Sequence, residues 1–204
     1  MNHSKLIRGA ILFIALVSTI TTNAGSSASE RFGVDKYGEQ AIRKLAKHVN
    51  QEMDKRGANV AIIARSGRAR ADLPDDIQYT HVAIAVFEAV KDADGRIAHT
   101  YTVYNLYQGA NDRMDRSYLA QDFTFDMVAG TVEPDIGVLI PTPELQNRIL
   151  AVIRSPAYAS LHNPRYNLIA NPHELQYDNC VSHTLKVIVS AIYQTDDAER
   201  IRSN

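Results

Sequence analysis

The run Tyr79-Thr80-His81-Val82-Ala83-Ile84-Ala85-Val86-Phe87 constrains the fold more than any other part of the chain. It is rich in β-branched residues and carries no polar–apolar alternation. Both of its faces must therefore be covered, which places it inside a sheet and not at an edge. Asp92-Ala93-Asp94-Gly95 supplies turn chemistry, and residues 98–107, rich in Tyr, Thr and Val, read as a second strand. The two strands are expected to pair as an antiparallel hairpin. One residue stands out in the first of them. His81 opens the most apolar strand of the chain, where a polar ring must find a partner or remain at an open end.

The flanking segments add helices and shorter strands. Over residues 37–56, Ile42, Leu45, Val49 and Met53 recur at helical spacing, and Gly57 follows as a stop. His48 on this helix lies among charged residues and reads as solvated. Residues 59–65 form a short strand, and 66–76 a polar loop. Arg65, Arg68 and Arg70 there suit an anionic group, or more simply a solvated loop. Residues 115–131 fit either a strand, with Phe123, Phe125 and Met127 alternating, or an ordered loop over the core. Residues 135–140 read as another strand. Thr142-Pro143-Glu144 is a helix start made of a capping hydroxyl, a first-turn proline and an acid. Leu145, Ile149, Val152 and Ile153 give that helix its apolar face. A last helix is expected over 179–193, buried through Val181, Leu185, Ile188 and Ile192, with a frayed polar tail over 195–204. This order predicts an α+β domain over 37–194 with a largely antiparallel sheet packed against helices.

Residues 1–24 have the layout of a secretory signal peptide. Lys5 and Arg8 precede the apolar run Gly9-Ala10-Ile11-Leu12-Phe13-Ile14-Ala15-Leu16-Val17, and Thr22-Asn23-Ala24 offers small residues at a cleavage site. Residues 25–36 then read as a flexible leader. The expected location is periplasmic or secreted, with no stable membrane span after cleavage. A formal net charge of -1 and the absence of a basic run argue against a nucleic-acid partner.

Export bears on Cys180, the only cysteine in the 204 residues. It cannot form an internal disulfide, so it is inert packing, paired with another molecule, or reactive. Cys180 follows Tyr177-Asp178-Asn179, where a capping residue opens the last helix, and a helix start favours a thiolate. A nucleophilic thiol needs a base and an orienting group. His81 is the candidate base. His183, three residues after Cys180 on the same helix, is a surface neighbour of the thiol, while His99, His162 and His173 lack supporting context. Pairing around the Asp92–Gly95 turn brings roughly 105–108 opposite His81. Asn105 in one register, or Gln108 in the other, would hold the imidazole N–H, and Asn105 is preferred. A metal site using His81, Cys180 and His183 lacks paired ligand spacing, and neither a metal nor a cofactor is expected.

The Tyr79-Thr80-His81-Val82-Ala83-Ile84 strand, followed at a distance by Tyr177-Asp178-Asn179-Cys180 opening a helix, resembles the circularly permuted papain-like superfamily, which includes NlpC-related cell-wall peptidases and lecithin:retinol acyltransferase-like proteins. From Phe32 onward the chain also resembles a family of secreted bacterial proteins defined only as a domain of unknown function. That likeness rests on Arg31-Phe32-Gly33, Tyr79-Thr80-His81, Asn163-Pro164-Arg165-Tyr166 and Tyr177-Asp178-Asn179-Cys180. The superfamily resemblance implies a permuted papain-like architecture, a thiolate at Cys180, a general base at His81 and a polar third residue on the next strand. The expected activity is an exported thiol hydrolase or acyltransferase acting on amide, ester or thioester bonds. Cell-wall peptides lead as substrates and lipid acyl groups follow. The alternative is a non-catalytic periplasmic module that binds a peptide, glycan or protein in the same cleft.

Overall fold

The structure, a computed structural model, describes residues 31–203; the expected signal peptide and the first part of the expected leader lie outside them. Its sheet comprises β1 (Val60–Arg65), β2 (His81–Lys91), β3 (Ile97–Gln108), β4 (Ser117–Phe123) and β5 (Ile136–Leu139). They lie in the order β4-β3-β2-β1-β5, and each neighbouring pair is antiparallel. The doubly apolar strand is thus the central one. Its turn to β3 is closed by Asp92, whose Oδ1 accepts from the amides of Asp94 and Arg96, each at 2.9 Å. Gly95 takes φ +82°, a left-handed conformation open to glycine at little cost.

Seven helices flank the sheet among the described residues: α1 (Phe32–Tyr37), α2 (Glu39–Lys55), α3 (Thr124–Ala129), α4 (Pro143–Ile153), α5 (Ala157–Ser160), α6 (Cys180–Tyr193) and α7 (Ala198–Ser203). One face of the sheet presents Ala61, Ile63, Ala83, Ala85, Tyr101 and Val103 to Val49 and Met53 of α2 and Met127 of α3. The other face presents Val60, Ile84 and Val86 to α4 and α6, through Ile149, Ile153, Val187 and Ala191. Odd and even positions of β2 therefore serve different layers, as the two-residue period of a strand requires. The protein is a mixed α+β domain with a five-stranded antiparallel sheet and helices on both faces.

Four details differ from the sequence expectation. Residues 115–131 form both a strand, β4, and a helix, α3, because the chain turns from one to the other at Phe123. On α6 the buried side is Cys180, His183, Thr184, Val187 and Ala191, while Val181, Leu185 and Ile192 are exposed. Both stripes have helical spacing, so periodicity does not choose between them. The smaller residues face inward, where they let the helix approach the sheet closely. The tail is not wholly polar or frayed: α7 buries Ile201 against the α4–α6 layer. Finally, α1 begins at Phe32, inside the expected leader, and its Gly33 is buried. A Cβ at Gly33 would lie 2.8 Å from the Thr131 carbonyl oxygen.

Candidate active site

The N-terminus of α6 is built by local hydrogen bonds. Asn179 Oδ1 accepts from the Ser182 amide at 2.8 Å, and Ser182 Oγ accepts from the Asn179 amide at 2.9 Å, a reciprocal cap. Beneath it, the carboxylate of Asp178 receives Ser182 Oγ at 2.6 Å, the Asn163 amide at 3.0 Å and Lys186 Nζ at 2.7 Å. Asn179 Nδ2 donates to the Leu168 carbonyl at 2.9 Å, anchoring the preceding loop. These bonds hold Cys180 in the first turn of the helix, with only 8% of the residue exposed.

The sheet supplies the other half. The Phe87 amide donates to Asn59 on the β1 side at 2.9 Å, so odd-numbered amides of β2 face β1 and even-numbered amides face β3. The β2–β3 ladder ends at Ile84↔Tyr104. The Val82 amide therefore points into the opening where the two strands part, and there it faces the thiol of Cys180 and favours its charged form. Helix α6 lies on the opposite face of the sheet from the His81 side chain. Its first residue nevertheless meets the strand at the residue following His81.

His81 and Asn105 are directly bonded. His81 Nε2 stands 3.0 Å from Asn105 Oδ1, and since an amide oxygen only accepts, Nε2 carries the proton. Nδ1 is then the nitrogen with a free lone pair, and it is buried without a hydrogen-bond partner among the described residues. Continuing the register beyond Ile84↔Tyr104 places Tyr107 opposite His81 and Asn105 diagonally across from it on the same face. The Tyr107 ring stacks on the imidazole, 5.1 Å between centroids and 10° between planes. Gln108 falls on the other face and donates to the Met114 carbonyl at 2.7 Å. The amide beside His81 is thus Asn105 and not Gln108.

Burial favours the neutral form of both Cys180 and His81. Burial pushes the Cys180 thiol above its ordinary range, opposed by the amides of Val82, Val181 and Cys180 itself and by the charge of Arg65. Burial, and then Arg65, press His81 down to about 3, while its bond to Asn105 works the other way. Arg65 is not a solvated loop residue. It ends β1 opposite His81, is 1% exposed, and lies against Gly130, where a Cβ would come within 1.6 Å of Nη1. Arg70 instead pairs at the surface with Asp135 at 2.9 Å.

The remaining histidines sit elsewhere. His183 is buried and not at the surface, edge-on to Tyr158 at 5.2 Å and to His162 at 6.0 Å. His162 Nε2 lies 2.9 Å from Ser117 Oγ. His48, His99 and His173 are exposed. Among the described residues no group of three or more His, Cys, Asp or Glu side chains is placed to hold a metal ion, and no helix is long and apolar enough to cross a membrane. Sequence reasoning missed Tyr107 and Asp122, which accepts from Asn105 Nδ2 at 3.1 Å. Hairpin register alone points to Tyr107, but Asp122 belongs to a third strand with no local signal.

No curated protein and no solved structure matches the chain. A family does match, over residues 52–204, a span that includes Arg65, His81, Asn105, Asp122 and Cys180. The chain belongs to the bacterial family described as "Uncharacterized protein conserved in bacteria" (DUF2145).

Proposed function

We propose that the protein is an exported thiol hydrolase or acyltransferase of permuted papain-like design, with Cys180 as nucleophile, His81 as base and Asn105 as its orienting partner. The observation that carries this reading is the His81 Nε2–Asn105 Oδ1 bond of 3.0 Å, which leaves Nδ1 as the basic nitrogen on a strand whose next amide faces the Cys180 thiol. The signal-like layout of residues 1–24 supports export.

The chemistry follows from a neutral resting pair. Nδ1 of His81 has no hydrogen-bond partner at rest among the described residues. In the substrate complex it closes on the thiol, which attacks a carbonyl carbon as Nδ1 takes its proton, forming a C–S bond and a tetrahedral oxyanion. The amides of Cys180 and Val82, both directed at the sulfur, are placed to donate to that oxyanion. The imidazolium returns the proton to the leaving amine, alcohol or thiol, and a thioester remains on Cys180. Water or an acyl acceptor, deprotonated by His81, then attacks the thioester and releases the thiol. Because burial holds both groups uncharged, proton transfer accompanies attack instead of preceding it. Cell-wall peptides are the leading substrate class, followed by lipid acyl groups.

The 8% exposure of Cys180 favours a second reading, a non-catalytic module that binds its partner beside a closed thiol. Incubation of the mature protein with p-nitrophenyl acetate, followed by intact mass spectrometry, separates the two. The catalytic reading expects one acetyl group on Cys180, its slow release, and no acylation in Cys180→Ala. A wild-type protein that neither acylates nor reacts with iodoacetamide faster than a free cysteine overturns it.

A further inference from the structure

We infer that Asp122 is a positioning residue which, with Tyr107, locks the Asn105 amide and thereby the tautomer of His81; this rests on the thiol-catalysis reading only for its effect on rate. Asn105 has one amide oxygen and one NH2 group, and its orientation decides which nitrogen of His81 is protonated. Its Nδ2 donates to two acceptors at once, the Val103 carbonyl at 3.1 Å and Asp122 Oδ2 at 3.1 Å. Both are acceptors only, so the amide cannot turn over without setting its oxygen against them. Oδ1 must then face His81, Nε2 must carry the proton, and Nδ1 must keep its lone pair.

Asp122 stands where this requires. It pairs with Val103 in the β3–β4 register, on the face that also carries Asn105 and Tyr107. Tyr107 is 1% exposed and stacks on His81, and its hydroxyl is near enough to Asp122 to affect the titration of both groups. Asp122, Asn105, His81 and Tyr107 thus close a ring of contacts in which the imidazole is held at its edge by an amide and on its face by a phenol. The carboxylate is half-buried, and burial raises its pKa above the usual range.

The test uses the mature protein with 15N-labelled histidine and two variants, Asp122→Leu and the near-isosteric Asp122→Asn. Imidazole 15N spectra read the His81 tautomer directly, and p-nitrophenyl acetate reads the acylation rate of Cys180. Wild type shows a single tautomer protonated at Nε2. Asp122→Leu, with only Val103 left to hold the amide, shows a mixture and acylates about 10- to 100-fold more slowly, the range typical of removing an outer hydrogen-bond partner. Asp122→Asn keeps an acceptor oxygen and falls between them, which covers the case in which the leucine variant does not fold. A single Nε2-protonated tautomer and an unchanged acylation rate in the variants overturn the inference while leaving thiol catalysis standing. A tautomer mixture in the variants of a protein that never acylates sustains the positioning role and removes the catalytic one.

Discussion

The Val82 backbone amide faces the Cys180 thiol and favours its charged form, so the first residue of α6 meets β2 where β3 has ceased to pair with it. The contact sets a sulfur at the start of the strand that carries His81. Backbone supplies the donor, so the contact survives side-chain changes at Val82. Cys180→Ser is expected to stay folded, with an unfolding midpoint close to wild type in urea, while losing all reaction with iodoacetamide.

Removing the partner of His81 is expected to cost more than removing the thiol. Asn105→Ala leaves Nε2–H buried with no acceptor, a penalty of about 1–3 kcal/mol. Urea unfolding of the variant checks this. A loss well under that range would mean that water replaces the amide.

The histidines make the fold sensitive to mild acid. His81 and His183 are each pressed to about 3 by burial, from an ordinary value of 6.5, and burial also lowers His162. Between about 3 and 6.5 the unfolded chain binds protons that the folded chain refuses, so stability is complete above the upper value and falls as pH drops below it. Each fully buried imidazole contributes about 1.4 kcal/mol per pH unit. His183→Phe is expected to reduce the slope by about one such share, measured as urea stability from about pH 7 to about pH 5.

Gly130 is required for space and not for backbone freedom, since its φ of -87° suits any residue. Gly130→Ala would drive a methyl group into the Arg65 guanidinium, which is too buried to swing aside. A loss of about 1–3 kcal/mol is expected. Because the charge of Arg65 lowers the His81 pKa, its displacement should also raise the His81 titration point, read by NMR.

The Asp178–Lys186 pair is buried on both sides, with side-chain exposures of 1% and 12%. Lys186→Ala strands a carboxylate directly under the Cys180 cap and is expected to cost about 3–5 kcal/mol. Combining it with Asp178→Asn should recover much of that loss in the same urea assay, since the uncompensated charge is then gone.

Much of this is legible in the sequence. The central strand, its hairpin, the Thr142-Pro143 helix start and a cap at Asp178 or Asn179 all follow from short-range rules, because caps, turns and strand periodicity are properties of a few adjacent residues; the structure selects Asn179. The hairpin turn also narrowed the amide partner of His81 to two residues. Choosing Asn105 over Gln108 needed the observed register, in which a one-residue slip exchanges the two faces. The buried side of α6 is not legible in the sequence, because two stripes satisfy the same helical period. Residues 115–131 were ambiguous because the segment changes from strand to helix midway.

The sequence by itself determined the class of the protein and its reactive inventory: an antiparallel hairpin at the centre of an α+β domain, one cysteine at a helix start, and one histidine opening the most apolar strand. Tertiary structure alone decided how these meet. The sulfur reaches Val82 only because the β2–β3 ladder stops at Ile84↔Tyr104, and Asp122 reaches Asn105 only because β4 lies beside β3. Arg65 comes against Gly130 through a contact 65 positions apart in the chain. Local patterns encode periodicity and capping, whereas burial, register and the electrostatic surroundings of a buried group are set by strands and helices far apart in sequence.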